Sequence, residues 1–303
     1  MKSMHRVCFS GILAALVLVI GLSGCSELNS DLPVPSTGKL QVHPDGWTTP
    51  ASANFHGNDI RNQGWDMKSC QTCHGSRYDG GIAQNSCRTC HTAQGGPESC
   101  STCHGTTNPA PPRDLSGNAA RTARGVGAHQ LHVAGGPFSS NISCGECHQV
   151  PGAVYVPGHL DTPGPAEVMM TNLARTVTNE PGTIDYDSQL PLFQPNPTFD
   201  QNTLQCSNTY CHGNFKNGNP ETALSWTDVS GTAAACGTCH GDVTRATLAE
   251  RAQPKTSALG GTHPNTTNCV NCHGEVVNAS LQFVDKALHA NGVLNFRGEK
   301  RNY

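Results

Sequence analysis

A mostly irregular fold with a few short α-helices, its interior filled by something other than side chains, is what three features of this 303-residue sequence predict. Aromatic residues make up only 5% of the chain, too few for a conventional apolar core. Gly (33) and Pro (20) punctuate the sequence throughout, which favours turns over long regular elements. The chain also holds 16 Cys and 15 His, a density at which sulfur and imidazole chemistry must organise the structure.

The first element is a targeting segment. Lys2 and Arg6 give it a basic start, the apolar run GILAALVLVIGL follows, and LSGC closes it at Cys25. The run is short for a membrane span, and LSGC resembles a bacterial lipobox, in which the chain is cut before the cysteine and the cysteine receives lipid. Residues 1–24 are therefore read as a lipoprotein signal peptide and Cys25 as the lipidated first residue of the mature chain. Ser26 follows it where an aspartate favours inner-membrane retention, so the expected location is the cell envelope, as an outer-membrane lipoprotein on the periplasmic or outward-facing side. Residues 25–42, polar and rich in Pro and Ser, read as a flexible tether. Loss of Lys2 and Arg6 takes the formal charge from −3 to −5, which argues against a nucleic-acid partner.

Cys8 and Cys25 apart, the cysteines fall into seven pairs, each followed at once by histidine. Six have the form CxxCH: Cys70, Cys73 and His74; Cys87, Cys90 and His91; Cys100, Cys103 and His104; Cys144, Cys147 and His148; Cys236, Cys239 and His240; Cys269, Cys272 and His273. The seventh, CSNTYCHG, places four residues between Cys206 and Cys211 before His212. A c-type haem is attached by two thioethers along one porphyrin edge, a span that one tight CxxC turn provides, and the next histidine then lies under the ring as proximal iron ligand. Structural zinc or disulfides explain paired cysteines but not a histidine after every pair. The reading is seven covalently attached haem c groups, with the longer spacer of CSNTYCHG bulging outward while its ends still reach the porphyrin.

Seven histidines of the mature chain lie outside the motifs: His43, His56, His129, His132, His159, His263 and His289. Seven candidate distal ligands for seven haems predict bis-histidine ligation throughout. His129 and His132, three apart, share one side of a helical turn and can serve two neighbouring haems. Met67, Met169 and Met170 are too few to complete seven sites.

The motifs then divide the chain. Residues 43–110 form a three-haem module, whose motifs are separated by twelve residues (75–86) and eight (92–99). Eight extended residues reach at most about 29 Å, so these haems are neighbours. Residues 111–200 form a one-haem module with the histidine pair, and residues 201–303 a three-haem module including CxxxxCH. Short helices are expected over 165–175, 242–252 and 280–290, the last carrying His289. The expected fold is thus a chain wrapped around a closely packed array of covalent c-type haems.

The segments HPDGW, NFHGNDIRNQGWDMKSCQTCHG, GAHQLHV, CGECHQVPGAVYVPGHLDTPGPAEV, CSNTYCHG, CGTCHG and LHANGVLNF resemble the CxxxxCH/CxxCH multihaem lipoprotein cytochromes of dissimilatory metal-reducing bacteria, over roughly residues 43 to 296. The resemblance implies that Cys206, Cys211 and His212 also carry haem, and that electrons pass at or beyond the outer membrane. The function expected is electron transfer through closed bis-histidine haems, with no catalytic residue. The alternative is a multihaem oxyanion reductase with one open haem. The expected partners are other redox proteins, cytochromes among them, and a mineral or extracellular acceptor, with membrane contact through the lipid.

Overall fold

The computed structural model describes residues 41–105, 108–160, 164–220 and 224–302. The signal peptide, Cys25 and all but the last two residues of the tether lie outside the described residues. The chain divides into two compact units, Met1–Asp59 and Ile60–Tyr303, the boundary falling inside helix α1 (His56–Asn62).

The described part of the first unit is a run of tight turns built on Trp47. Its indole stacks on His43 (centroids 4.5 Å apart, 8° between planes), and its carbonyl accepts the backbone N–H of His56 at 2.9 Å.

The second unit is mostly irregular, as its composition requires. Its helices are single turns: α2 (Gln71–His74), α3 (Cys100–His104), α4 (His129–Val133), α5 (Leu248–Ala252) and α6 (Val270–His273). A three-stranded antiparallel sheet, β1 (Thr198–Asp200), β2 (Gln205–Ser207) and β3 (Leu224–Ser225), and a hairpin, β4 (Leu294–Phe296) and β5 (Glu299–Arg301), complete it. No described helix is long and apolar enough to cross a membrane.

Few side chains form a core. Met67, Tyr78, Val126, Met170, Tyr210 and Val276 are buried, but the largest fully buried side chains, Asn179 and Thr178, are polar. They are tolerated because they are satisfied. The Asn179 amide nitrogen lies 3.0 Å from the carbonyls of Asp187, Leu190 and Pro191, and its Oδ1 accepts the Asp187 N–H at 2.8 Å. Thr178 exchanges backbone bonds with Phe193 and accepts the Lys216 N–H on its hydroxyl at 2.7 Å. Together they clamp the loop 180–191.

The expected helix over 165–175 does not form. Met169 and Thr171 donate instead to the carbonyls of Cys147 and Glu146, at 2.9 and 2.8 Å, and Glu146 Oε1 takes the Ala174 N–H, so the segment lies along an attachment motif. Over 242–252 only α5 is helical, started by a capping box between Thr247 and Glu250. Asp242 bonds back to the Arg251 carbonyl at 3.1 Å, turning the first half away from helix. Over 280–290 a 3₁₀ turn at Lys286–Leu288 is all that remains, because Phe283 bridges Val277 and Val284 donates to Val276.

Candidate haem-binding site

Three of the CxxCH motifs are closed by their own backbone. In the motifs beginning at Cys87, Cys144 and Cys269, the carbonyl of the first cysteine accepts from the second cysteine (3.2 Å in each) and from the histidine (2.8–2.9 Å). One closed turn thus sets both sulfurs and the imidazole, which is why the spacing is two. None of the fourteen motif cysteines is paired in a disulfide. Among the described residues no group of three or more His, Cys, Asp or Glu side chains is arranged to hold a metal ion, as the zinc reading requires. Burial pushes the Cys147 thiol up to about 11 and those of Cys206 and Cys211 up to about 12.

CSNTYCHG is built differently. Cys206 belongs to strand β2, opposite Phe199 on β1 and Leu224 on β3. Asn208 then turns the chain at φ 58°, and Tyr210–His212 forms a 3₁₀ turn. The spacer does not bulge outward as a whole, although Asn208 is exposed. Thr209 and Tyr210 are buried, Tyr210 donating to the Ala174 carbonyl at 2.9 Å with its ring 5.4 Å from Phe215. The longer spacer allows the first cysteine to be held by a sheet and the second by a turn, with an aromatic anchor between them.

The histidines carry the strongest test of fit. A ligating imidazole nearly always donates its other ring N–H to an oxygen, which fixes tautomer and orientation. Nδ1 of His56, His74, His129, His132, His148, His159, His263, His273 and His289 each lies against a backbone carbonyl, those of Trp47, Asn85, Val126, Ala128, Glu167, Val154, Pro264, Asn295 and Phe138 respectively. A carbonyl can only accept, so Nδ1 bears the proton and Nε2 keeps the lone pair a metal needs.

Four motif histidines also face four histidines from outside the motifs. The ring centroids of His104 and His159 are 6.0 Å apart, those of His129 and His148 6.2 Å, those of His132 and His212 6.3 Å, and those of His240 and His289 6.1 Å. Two imidazoles on one metal, each bonded at about 2.0–2.1 Å, bring their centroids to about 6 Å, so each gap admits one iron. The interplanar angles differ: 31° and 26° for the first two pairs, 71° and 69° for the others. His263 is the off-motif neighbour of His273; burial lowers its pKa, the Pro264 carbonyl opposes that, and His273 adds to the lowering.

These ten histidines, with the cysteines of their five motifs, line one cavity of 1960 Å³. That exceeds the roughly 300–1,000 Å³ of a single-ligand pocket and fits several large cofactors side by side. Burial holds His104, His129 and His289 below the ordinary imidazole value and brings His212 and His240 down to about 4, keeping them in the neutral form that ligates. Met67 and Met170 are core residues. His43 and His56 lie in the first unit, and His74 and His91 in the second.

Sequence reasoning passed over Trp226, one of only 3 tryptophans, whose ring lies 4.7 Å from that of His129 and 5.8 Å from that of His132. The scarcity of tryptophan was the available signal.

Residues 205–240, which span CSNTYCHG and the CxxCH motif after it, match the family model described as the Geobacter CxxxxCH...CXXCH motif. No curated protein and no solved structure matches the chain. Together with five further CxxCH motifs outside that segment, each folded as a single turn ending in its histidine, this match supports a multihaem c-type cytochrome family for the chain.

Proposed function

We propose that this cytochrome carries seven haems c, each closed by two histidines, and conducts electrons at the outer membrane to which a lipid on Cys25 holds it. The observation that carries the reading is the facing of motif and off-motif histidines at 6.0–6.3 Å in four separate pairs. Haem iron supplies reversible one-electron chemistry; the chain's own residues attach it, ligate it and exclude water. His104 with His159, His148 with His129, His212 with His132, His240 with His289 and His273 with His263 are the proposed ligand pairs. His74 and His91 are the proximal ligands of the first two motifs, and His43 and His56 the remaining candidate distal ligands.

Closed sixth positions suit a carrier, because a catalytic site keeps a position open for substrate. Tunnelling rates fall exponentially with the gap between cofactors, and five motifs on one cavity keep those gaps short. The interior is therefore the haems themselves, with the chain wrapped around them. The haem propionates add to the formal charge of −5 expected after signal removal, which suits basic redox proteins or cation-bridged contact with a mineral as partners in extracellular electron transfer.

Intact mass of the mature holoprotein tests the composition, with seven haems and acyl chains expected. Six haems would overturn the reading of CSNTYCHG, and a mass without acyl chains would overturn that of Cys25. Cyanide or nitrite added to the ferric protein tests the ligation. No spectral shift is expected, whereas a high-spin band or a ligand-induced shift would favour a reductase with an open haem.

A further inference from the structure

Trp226 touches both members of the histidine pair on α4, and it meets them differently. Its ring stands at 89° to that of His129 and at 22° to that of His132. Those two histidines face different motif partners, His148 at an interplanar angle of 26° and His212 at 71°. One indole therefore lies against the distal side of one shallow pair and one steep pair.

The indole is itself fixed on several sides. Its Nε1 donates to the Arg124 carbonyl at 2.8 Å and its backbone N–H to Leu204 at 2.7 Å. Phe199 meets it edge-on at 6.5 Å, and Gly127, at φ 42°, leaves the space it fills, since a side chain there would run into the indole ring. Trp226 directly follows β3 of the sheet that holds Cys206, so one small sheet places both the first sulfur of CSNTYCHG and the ring that rests on the partner of His212. On the histidines, the Nδ1 bonds to Val126 and Ala128 hold one edge of each ring, and the indole limits rotation of the rest.

Axial ligand orientation is a lever on haem electronics. Parallel imidazole planes split the iron d orbitals rhombically, while steeply crossed planes leave them nearly degenerate, which alters both the potential and the ferric low-spin EPR signal. We propose that Trp226 is a positioning residue that sets the imidazole planes of His129 and His132, making the haems attached at Cys144/Cys147 and at Cys206/Cys211 electronically unlike. The proposal rests on the ligand pairing given above. It makes the electron step between these two neighbours a designed one, with unequal potentials on the two sides of one helix turn.

The test is EPR of the fully oxidised, haem-loaded protein with spin integration, alongside a potentiometric titration. Trp226→Leu keeps apolar volume but removes the flat face, and Trp226→Phe keeps a flat ring. In Trp226→Leu the highly anisotropic signal of crossed ligand planes is expected to lose one haem equivalent, with a second potential shifting and the other haems unmoved. Trp226→Phe is expected to retain most of that signal, and Gly127→Ala, which displaces the indole, to reproduce the loss. Unchanged spectra in Trp226→Leu, or an equal shift of every haem, would overturn the role of Trp226. High-spin iron in the unaltered protein would instead overturn the ligand pairing.

Discussion

The imidazoles of His132 and His212 face each other with centroids 6.3 Å apart and planes 71° apart, although 80 positions separate them in the chain. His132 is closer in sequence to the motif that begins at Cys144, yet it is His129 that faces His148. The pairing crosses over because α4 presents its two histidines to different parts of the cavity.

Substitution of His132 by Ala is expected to open the sixth position on one iron alone. The ferric protein should gain about one haem equivalent of high-spin absorption and bind about one equivalent of cyanide, while folding and haem number stay as they were. Optical titration with cyanide reads this directly. A variant that still binds no cyanide would show that His132 is not a ligand.

The double substitution Cys206→Ala with Cys211→Ala should remove one haem from the intact mass. Cys206→Ala alone should keep it through the single Cys211 thioether, with the altered pyridine-haemochrome band of a haem attached at one vinyl only. An unchanged mass in the double variant would mean that the odd motif attaches nothing.

Asn179→Ala removes a buried amide that serves three carbonyls and one N–H of the loop 180–191. Each buried polar group left unsatisfied costs about 1–3 kcal/mol, so a loss of at least about 2 kcal/mol is expected in denaturant unfolding. Gln189→Ala, exposed on the same loop, should stay within about 0.5 kcal/mol of the parent.

Gly241→Ala places a side chain at φ 83° directly against the Arg251 carbonyl, immediately after His240. The left-handed backbone alone costs about 1–2 kcal/mol, and the collision adds to it. Faster haem-site opening in the last module is expected, seen as a lowered thermal midpoint and increased amide exchange across 236–252.

Much of the attachment chemistry was legible because it is local. A CxxCH turn closes on its own backbone, as the bonds from His91 to Cys87, His148 to Cys144 and His273 to Cys269 show, so spacing alone identifies it. The irregular fold was equally legible from sparse aromatics and frequent Gly and Pro. The helices expected at 165–175 and 280–290 were not, because Met169, Thr171 and Val284 found backbone partners elsewhere in the fold that outweighed weak local propensity. The spacer of CSNTYCHG was misread for a similar reason: the burial of Tyr210 depends on Ala174 and Phe215 rather than on the motif.

By itself, then, the sequence determined where the cysteine pairs and the histidines that follow them lie, since a few consecutive residues make up each motif. Only the tertiary structure decided which histidine faces which motif, at what angle, and that Trp226 stands between two of them. Those relations join segments 19 to 97 residues apart, and backbone carbonyls, one indole and a three-stranded sheet set them. A rule of spacing cannot contain them, because a ligand's direction depends on everything packed around its ring.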